Sequence, residues 1–256
     1  MAENEKNQNA LLKWPRLIEG VLIKRYKRFM ADVKLRNNHV VTAHCPNSGS
    51  MKACCEPGRT VYLTRHNKPS RRLKYTWEMI HMGTSMVGVN TIVPNRLTQA
   101  AILSGDVPEL SGYETVRTEV KYGKNSRIDL LLEKGKKRCF VEVKNCTLVT
   151  DGLACFPDAV TSRGLKHLVE LQDQVKQGDR SVMFYLIQRM DATRFEPADH
   201  IDPAYGKELR KAVLNGVEIL VYDVKIDLEG IQLNRPVPFQ LQSDPNAQRA
   251  PSRSSN

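Results

Sequence analysis

Two carboxylates and a lysine occur close together in two segments that we predict to be neighbouring strands. Glu142 follows Asp129 by thirteen residues, and Lys144 lies two residues beyond Glu142. Side chains alternate between the faces of a strand, so Glu142 and Lys144 share a face and the valines beside them point to the core. Such a group can hold a divalent metal ion and position a water molecule against a phosphate. The alternative is a solvated strand edge carrying a Glu142–Lys144 ion pair.

The elements around these residues predict an α/β domain with a mixed central sheet. Pro94 near the start and Gly105 past the end favour a helix between them. The other predicted helices cover residues 159–176 and 203–215. Strands are predicted over residues 113–122, 126–132, 138–148, 181–188 and 217–226. The order is therefore helix, three strands, helix, strand, helix and strand.

This order, with an acid on the second strand and Glu-x-Lys on the third, resembles the PD-(D/E)xK nuclease superfamily. The resemblance implies that Asp129 and Glu142 bind Mg²⁺ or Mn²⁺, helped by the backbone carbonyl of Val143. It also implies that Lys144 orients or deprotonates the attacking water. Glu119, on the preceding strand, is a candidate third carboxylate.

The helix predicted after the Glu-x-Lys strand adds candidates for phosphate contacts. Asp158 precedes this helix, and we assign it to capping rather than to metal binding. Arg163 and His167 are four residues apart and share a face, with Lys166 beside them. The nuclease resemblance implies that this helix borders the metal site. The alternative is that Arg163 and Lys166 are surface residues and that His167 is a satisfied neutral histidine.

The charge of the chain points to a polyanionic partner. The formal net charge is +11 and the isoelectric point is about 9.4. Residues 1–85 contain sixteen Lys and Arg against six Asp and Glu, a net charge of +10, whereas residues 86–256 have a net charge of +1. This asymmetry suggests a nucleic-acid surface in the first third of the chain. The alternative is a basic face that serves solubility.

Cysteine usage and hydropathy predict a reduced, cytoplasmic protein with no membrane partner. The six cysteines include no CxxC pair, and two of them are adjacent, which favours neither a disulfide framework nor a zinc site. The N-terminal residues are polar and lack the apolar run of a secretory signal. No stretch of about 18 apolar residues occurs, so we expect no membrane span.

Residues 11–85 predict five short strands with one helical turn after Asn47, which is typical of a small OB-type barrel. Such barrels bind single strands through a basic groove and aromatic stacking platforms. Several aromatic residues lie among the basic ones, although any single aromatic could instead belong to the barrel core. The candidate nucleic-acid contacts of this domain are Lys24, Arg25, Lys27, Arg28, Arg65, Arg71, Arg72 and Lys74.

Longer segments resemble the sugar fermentation stimulation protein A family of bacteria and archaea. The resemblance covers roughly residues 12–230, and its longest block is FPDAVTSRGLKHLVEL at residues 156–171. The other blocks are residues 44–51, 112–114, 126–132, 141–148, 183–189 and 199–206. The resemblance implies an OB-like domain, a nuclease-like domain, DNA binding without marked sequence preference and a regulatory role in sugar (maltose) metabolism.

We therefore predict two domains and leave two functions open. The small all-β OB-like barrel covers residues 11–85 and the α/β PD-(D/E)xK nuclease-like domain covers residues 86–242, between disordered tails at residues 1–10 and 243–256. The first function is a metal-dependent nuclease acting on DNA or RNA. The second is a non-catalytic DNA-binding regulator, because a nuclease fold does not fix its function. A homodimer is left open.

Overall fold

The computed structural model of the chain describes residues 10–123 and 126–241. The first seven strands are β1 (Leu11–Lys13), β2 (Leu17–Tyr26), β3 (Met30–Leu35), β4 (Val40–His44), β5 (Thr60–Arg65), β6 (Tyr75–His81) and β7 (Met86–Gly88). The later strands are β8 (Thr115–Tyr122), β9 (Ser126–Lys134), β10 (Lys137–Cys146), β11 (Leu148–Thr150), β12 (Leu153–Phe156), β13 (Arg180–Ile187), β14 (Arg194–Pro197), β15 (Glu218–Ile226) and β16 (Gly230–Pro236). The helices are α1 (Val93–Ser104), α2 (Ser162–Lys176) and α3 (Pro203–Leu214), with a short 3-10 helix at Pro108–Leu110.

The first sheet closes into the OB barrel that the sequence predicts. Its strand order is β4-β3-β2-β5-β6-β7, and β4 also pairs with β6. β2 is long enough to pair with β5 along its first half and with β3 along its second half. Leu22, Val33, Val61, Leu63 and Trp77 fill the interior and are at most 1% exposed. The alternation of apolar and polar residues that predicted these strands therefore reflects a closed core.

The predicted helical turn after Asn47 is wrong, because the described segment between β4 and β5 contains turns and no helix. Asn47 explains part of this difference, since its side-chain oxygen accepts a hydrogen bond from the N–H of Gly49 at 2.9 Å. This local bond competes with helix formation. Pro46 and Pro57 restrict the backbone on either side.

The second sheet is mixed, as predicted, and has seven strands in the order β1-β16-β15-β13-β10-β9-β8. β10, β13 and β15 pair in parallel, and the remaining neighbours are antiparallel. Leu97 of α1 packs in one core with Val141. Leu168 of α2 and Leu209 of α3 pack with Met183 in the other core. The sheet therefore lies between α1 on one side and α2 and α3 on the other.

Several boundaries differ from the predicted ones. β1 pairs with β16 and so belongs to the second sheet, although it falls in the range predicted for the barrel. β7 pairs with β6 and extends the barrel sheet beyond residue 85. β11, β12 and β14 form a separate three-stranded sheet, and β16 follows the strand predicted to be the last. β1, β7, β11, β12 and β14 have three or four residues and are too short to show a readable period, whereas β16 has seven.

The predicted tails lie outside the described residues, except for Ala10, whose N–H donates to the Asp106 carboxylate at 2.8 Å. In the part of the chain that the structure describes, no helix combines the length and apolar character needed to cross a membrane.

Candidate active site

Asp129 on β9 and Glu142 on β10 lie where these two strands separate. Within the described strands, the β9–β10 pairing ends at Leu130 and Val141, whereas β10 continues beside β13. The N–H of Val143 donates to Asp129 Oδ2 at 2.8 Å instead of to a strand neighbour. The N–H and C=O of one residue in an extended strand point to the same side. The Val143 carbonyl therefore faces the same gap as the Asp129 carboxylate.

One oxygen of Glu142 is fully engaged, and the other has no hydrogen-bond partner in the described part of the chain. Lys144 Nζ donates to Glu142 Oε1 at 2.6 Å, and His167 Nδ1 makes a short hydrogen bond with the same oxygen. Lys144 Nζ also lies 3.3 Å from His167 Nδ1. Glu142 is 2% exposed, and its Oε2 is buried without a hydrogen-bond partner among the described residues. An unpartnered carboxylate oxygen in this setting is costly and favours a bound cation or a polar ligand.

The two acids differ in how readily they ionise. Burial raises the pKa of Asp129 from its ordinary 3.8 to about 6, and the neighbouring Glu142 charge adds to the rise. Burial also opposes ionisation of Glu142, but the Lys144 ammonium and the hydrogen bond with His167 outweigh it, so the pKa of Glu142 lies below its ordinary value. Two neighbouring acids with pKa values pushed apart are typical of functional sites.

These side chains line a cleft of about 360 Å³ that both domains build. The barrel contributes Asn47, Ser48 and Gly49, and the second domain contributes Asp129, Glu142, Val143, Lys144 and residues around the start of α2. Asn95, near the start of α1, also lines the cleft and donates from Nδ2 to Asp129 Oδ1 at 2.7 Å. The sequence analysis missed Asn95, although its place beside the predicted helix start was a usable signal.

The candidate third carboxylate, Glu119, does not join this cluster. Glu119 is exposed on β8, where its neighbours Thr118 and Val120 pair with Leu130 and Ile128, but it does not line the cleft. The described residues contain no group of three His, Cys, Asp or Glu side chains that could hold a metal ion. The oxygen atoms that face this gap are those of the two carboxylates and the Val143 carbonyl.

The α2 candidates occupy different environments. Arg163 is exposed and lines the cleft. Lys166 is exposed and lies 3.6 Å from Glu170. His167 is 3% exposed and contacts the acid instead of facing the solvent. It thus acts on the Glu142 carboxylate rather than presenting a cation on the helix surface.

The capping role predicted for Asp158 is wrong. α2 starts at Ser162, and the side chain of Thr161 accepts the capping hydrogen bond from the N–H of Gly164 at 3.0 Å. The Asp158 carboxylate instead accepts a hydrogen bond from the backbone N–H of Met51 in the barrel domain at 2.9 Å. This contact spans 107 residues and could not be read from local sequence.

The basic candidates of the barrel divide into two groups. The exposed ones are Lys24, Lys27, Arg28, Arg65 and Arg72. The other three are bonded to the protein itself. Arg25 donates to backbone carbonyls, Arg71 to the Thr76 hydroxyl at 2.5 Å, and Lys74 to the carbonyls of Lys68 and Pro69 at 2.9 and 3.2 Å. These three stabilise loops, which was not predicted.

Fold and site together define a two-domain protein in which an OB barrel is joined to an α/β domain with a mixed sheet, where the buried Glu142 lies beside the partly buried Asp129. A family profile described as the SfsA N-terminal OB domain matches residues 23–89, and one described as the sugar fermentation stimulation protein RE domain matches residues 92–230. The chain belongs to the sugar fermentation stimulation protein family.

Relatives support this assignment along most of the chain. The sugar fermentation stimulation protein homolog of Geobacter sulfurreducens is 56% identical over 222 residues, which cover 87% of this chain and 95% of that protein. The homolog of Nitrosococcus oceani is 51% identical over 229 residues, covering 88% and 97%. A solved structure described as Pyrococcus furiosus SfsA in complex with Ca²⁺ superposes with a TM-score of 0.83 at 24% identity, covering 91% of this chain and 99% of that one. This last likeness establishes the fold.

Proposed function

We propose that the chain is a divalent-metal-dependent phosphodiesterase acting on nucleic acid. The observation that carries this proposal is the buried Glu142 Oε2, which has no hydrogen-bond partner among the described residues and lies near the Asp129 carboxylate. A structural ion pair with Lys144 alone would not require a second, partly buried acid whose pKa is raised.

The oxygen ligands fit a hard cation such as Mg²⁺ or Mn²⁺. Asp129, Glu142 and the Val143 carbonyl would hold the ion, and Mg²⁺ commonly takes one or two carboxylates while keeping several waters. When bound, such an ion polarises a phosphoryl oxygen and lowers the pKa of bound water. The Pyrococcus furiosus protein of the same fold is described in complex with Ca²⁺, which is also a hard divalent cation.

The side chains around the acids have separate tasks in this proposal. Lys144 Nζ, whose side chain is 13% exposed, supplies a cation at the acids that can donate to a phosphate oxygen or orient the attacking water. His167 and Lys144 together fix Glu142 Oε1 and leave Oε2 for a ligand. Asn95 and the Val143 N–H hold Asp129 in place. Arg163 lines the cleft, where it can contact a phosphate.

Cleavage assays test this proposal. Single- and double-stranded DNA and RNA of mixed sequence are incubated with Mg²⁺, Mn²⁺ or EDTA, using wild type, Glu142→Gln and the exposed Glu114→Gln as control. We expect metal-dependent cleavage that falls by about 10²–10³ in Glu142→Gln, because the variant loses a charged ligand. Equal cleavage by wild type and Glu142→Gln would refute the site, and no cleavage of any substrate would refute the activity.

A second function, a non-catalytic DNA-binding regulator of sugar metabolism, is favoured by the charge of the barrel domain. Five of the basic candidates are exposed on this domain, and residues 1–85 have a net charge of +10. If all five contact phosphates, log K should fall with log[salt] with a slope of roughly −4. Binding that does not respond to salt between about 50 and 200 mM would contradict this function.

A further inference from the structure

The barrel domain supplies one wall of the cleft that contains the acids. Asn47, Ser48 and Gly49 line the same cleft as Asp129 and Glu142. Asn47, Ser48 and Gly49 belong to the loop that follows β4, whereas Asp129 and Glu142 belong to the second sheet. The candidate site is therefore complete only when both domains are in contact.

Arg25 holds this wall from the barrel side. Its guanidinium donates to the carbonyls of Asn47, Gly49 and Ser50 at 2.8, 3.0 and 3.2 Å. Hydrogen bonds from an ionised donor are stronger than those between neutral groups. The loop is therefore fixed in position relative to the β2–β3 turn.

Asp158 holds the same loop from the second domain. Its carboxylate accepts from the Met51 N–H at 2.9 Å and from the Ser50 hydroxyl at 3.3 Å. The loop and the carboxylate pack so closely that a Cβ added to Gly49 would lie 2.6 Å from both Asp158 oxygens. Widening the cleft would break these contacts on both sides of the loop.

The two basic turns of the barrel lie beside the start of this loop. Met30, just after the turn at residues 27–29, pairs with His44 at the end of β4. Thr76 on β6, which follows the loop at residues 66–74, pairs with the same His44. In OB-folds the turns between the first and second strands and between the last two strands flank the oligonucleotide-binding face. A basic surface therefore leads to the loop that walls the cleft.

The size of the cleft limits what can reach the acids. The volume of the cleft, about 360 Å³, lies near the lower end of the range of roughly 300–1,000 Å³ found for sites that hold drug-sized ligands. A mononucleotide is a ligand of this size class. A paired strand would bring its complement into a space bounded by the barrel loop and the start of α2. We propose, resting on the proposed function, that the substrate is a single strand that crosses the barrel between the two basic turns and places an unpaired nucleotide in the cleft.

Binding in EDTA tests this proposal independently of catalysis. Fluorescence anisotropy compares a 20-nucleotide single strand of DNA, the same strand of RNA, and a duplex whose ends are closed by hairpins. We expect at least one single strand to bind at least about tenfold more tightly than the closed duplex. Duplex binding as tight as that of both single strands would overturn the proposal.

A substitution in the wall tests where the strand passes. Ser48 is exposed and lines the cleft, and among the described residues its side chain makes no hydrogen bond to the acids. Ser48→Asp therefore adds a negative charge to the wall of the cleft. Ser48→Asn is the matched neutral control. We expect Ser48→Asp to bind the single strand about fivefold or more weakly than Ser48→Asn, because the negative charge is the difference between the two variants. Equal binding by the two variants would refute the path over the loop. Absence of cleavage with Mg²⁺ would refute the proposed activity, while these binding results would still decide the path.

Discussion

Replacing Asp129 by asparagine should stabilise the folded protein at neutral pH. The ionised Asp129 carboxylate is partly buried and repelled by Glu142, and these two effects raise its pKa to about 6. An asparagine in its place can accept the Val143 N–H through its carbonyl oxygen. Its side-chain NH₂ can donate to Asn95 Oδ1 once the Asn95 side-chain amide flips by 180°. Both hydrogen bonds then remain while the charge is removed.

The size and pH dependence of the effect follow from the pKa. The pKa of Asp129 rises from 3.8 to about 6, a difference of about two pH units, and each unit corresponds to 1.36 kcal/mol. Between about pH 4 and pH 6 the unfolded chain releases this proton while the folded chain retains it. The contribution of Asp129 to the free energy of unfolding is therefore largest below pH 4 and falls by up to about 3 kcal/mol as the pH rises to 7. Asp129→Asn should not show this fall.

Urea unfolding at pH 4.5, 6 and 7.5 measures this difference. We expect the stability of Asp129→Asn relative to wild type to increase with pH and to reach about 1–3 kcal/mol at pH 7.5. Asp151→Asn is the matched control, because Asp151 is exposed in a turn with a φ of 49° that asparagine tolerates. The pH-dependent gain should be confined to the Asp129 variant.

Adding Mg²⁺ at pH 7.5 provides a second reading of the same carboxylate. An ion that binds only the folded protein stabilises it by about 2.7 kcal/mol at a hundredfold excess over Kd. We expect this gain in wild type and a much smaller one in Asp129→Asn. A variant that is less stable than wild type at pH 7.5, with a difference that does not change with pH, would show that the Asp129 charge is not costly and would refute the reasoning.

Three further predictions concern other parts of the chain. Gly49→Ala should cost about 1–3 kcal/mol by displacing Asp158, and in the Asp158→Ala background the same substitution should cost less, which a double-mutant cycle of urea midpoints will show. Thr161→Ala should cost about 1 kcal/mol of stability through loss of the hydrogen bond from the Gly164 N–H, whereas Thr161→Ser should retain most of it, as measured by thermal unfolding. Cys55, the only one of the six cysteines that is not buried, should react with a thiol reagent before the other five, and peptide mapping by mass spectrometry identifies the modified residue.

The sequence was informative where function depends on local pattern. The alternation around Glu142 predicted a strand with one buried apolar face, and both valines beside the acid lie in the core of the second domain. Pro94 and Gly105 marked a helix that the structure places at Val93–Ser104, with Gly105 in the left-handed conformation that ends it. The strand and helix signals sufficed for the fold because each repeats over several residues.

The details of the cleft depended on contacts between distant parts of the chain. Asp158 and Met51 are 107 residues apart, and Asn95 and Asp129 are 34 residues apart. Neither contact has a periodic signal in the sequence. The Asp158 assignment failed because Asp before a helix is usually a cap, and a tertiary contact took its place. Arg25, whose basic character suggested phosphate binding, donates from its guanidinium to the carbonyls of a loop, and this contact also has no periodic signal in the sequence.

The arrangement of the acids argues for a ligand rather than for a scaffold. A domain kept only for its fold would lose no hydrogen bond at Asp129 by carrying an amide there, and it would no longer hold a partly buried charge next to Glu142. Glu142 likewise needs only Oε1 for its contacts with Lys144 and His167. The buried Glu142 Oε2 and the ionisable Asp129 both lower the stability of the fold without adding a contact that the fold needs. Such stability costs are typical of sites where a bound cation or a reacting group offsets them. The Mg²⁺ measurement tests directly whether a bound cation does so here.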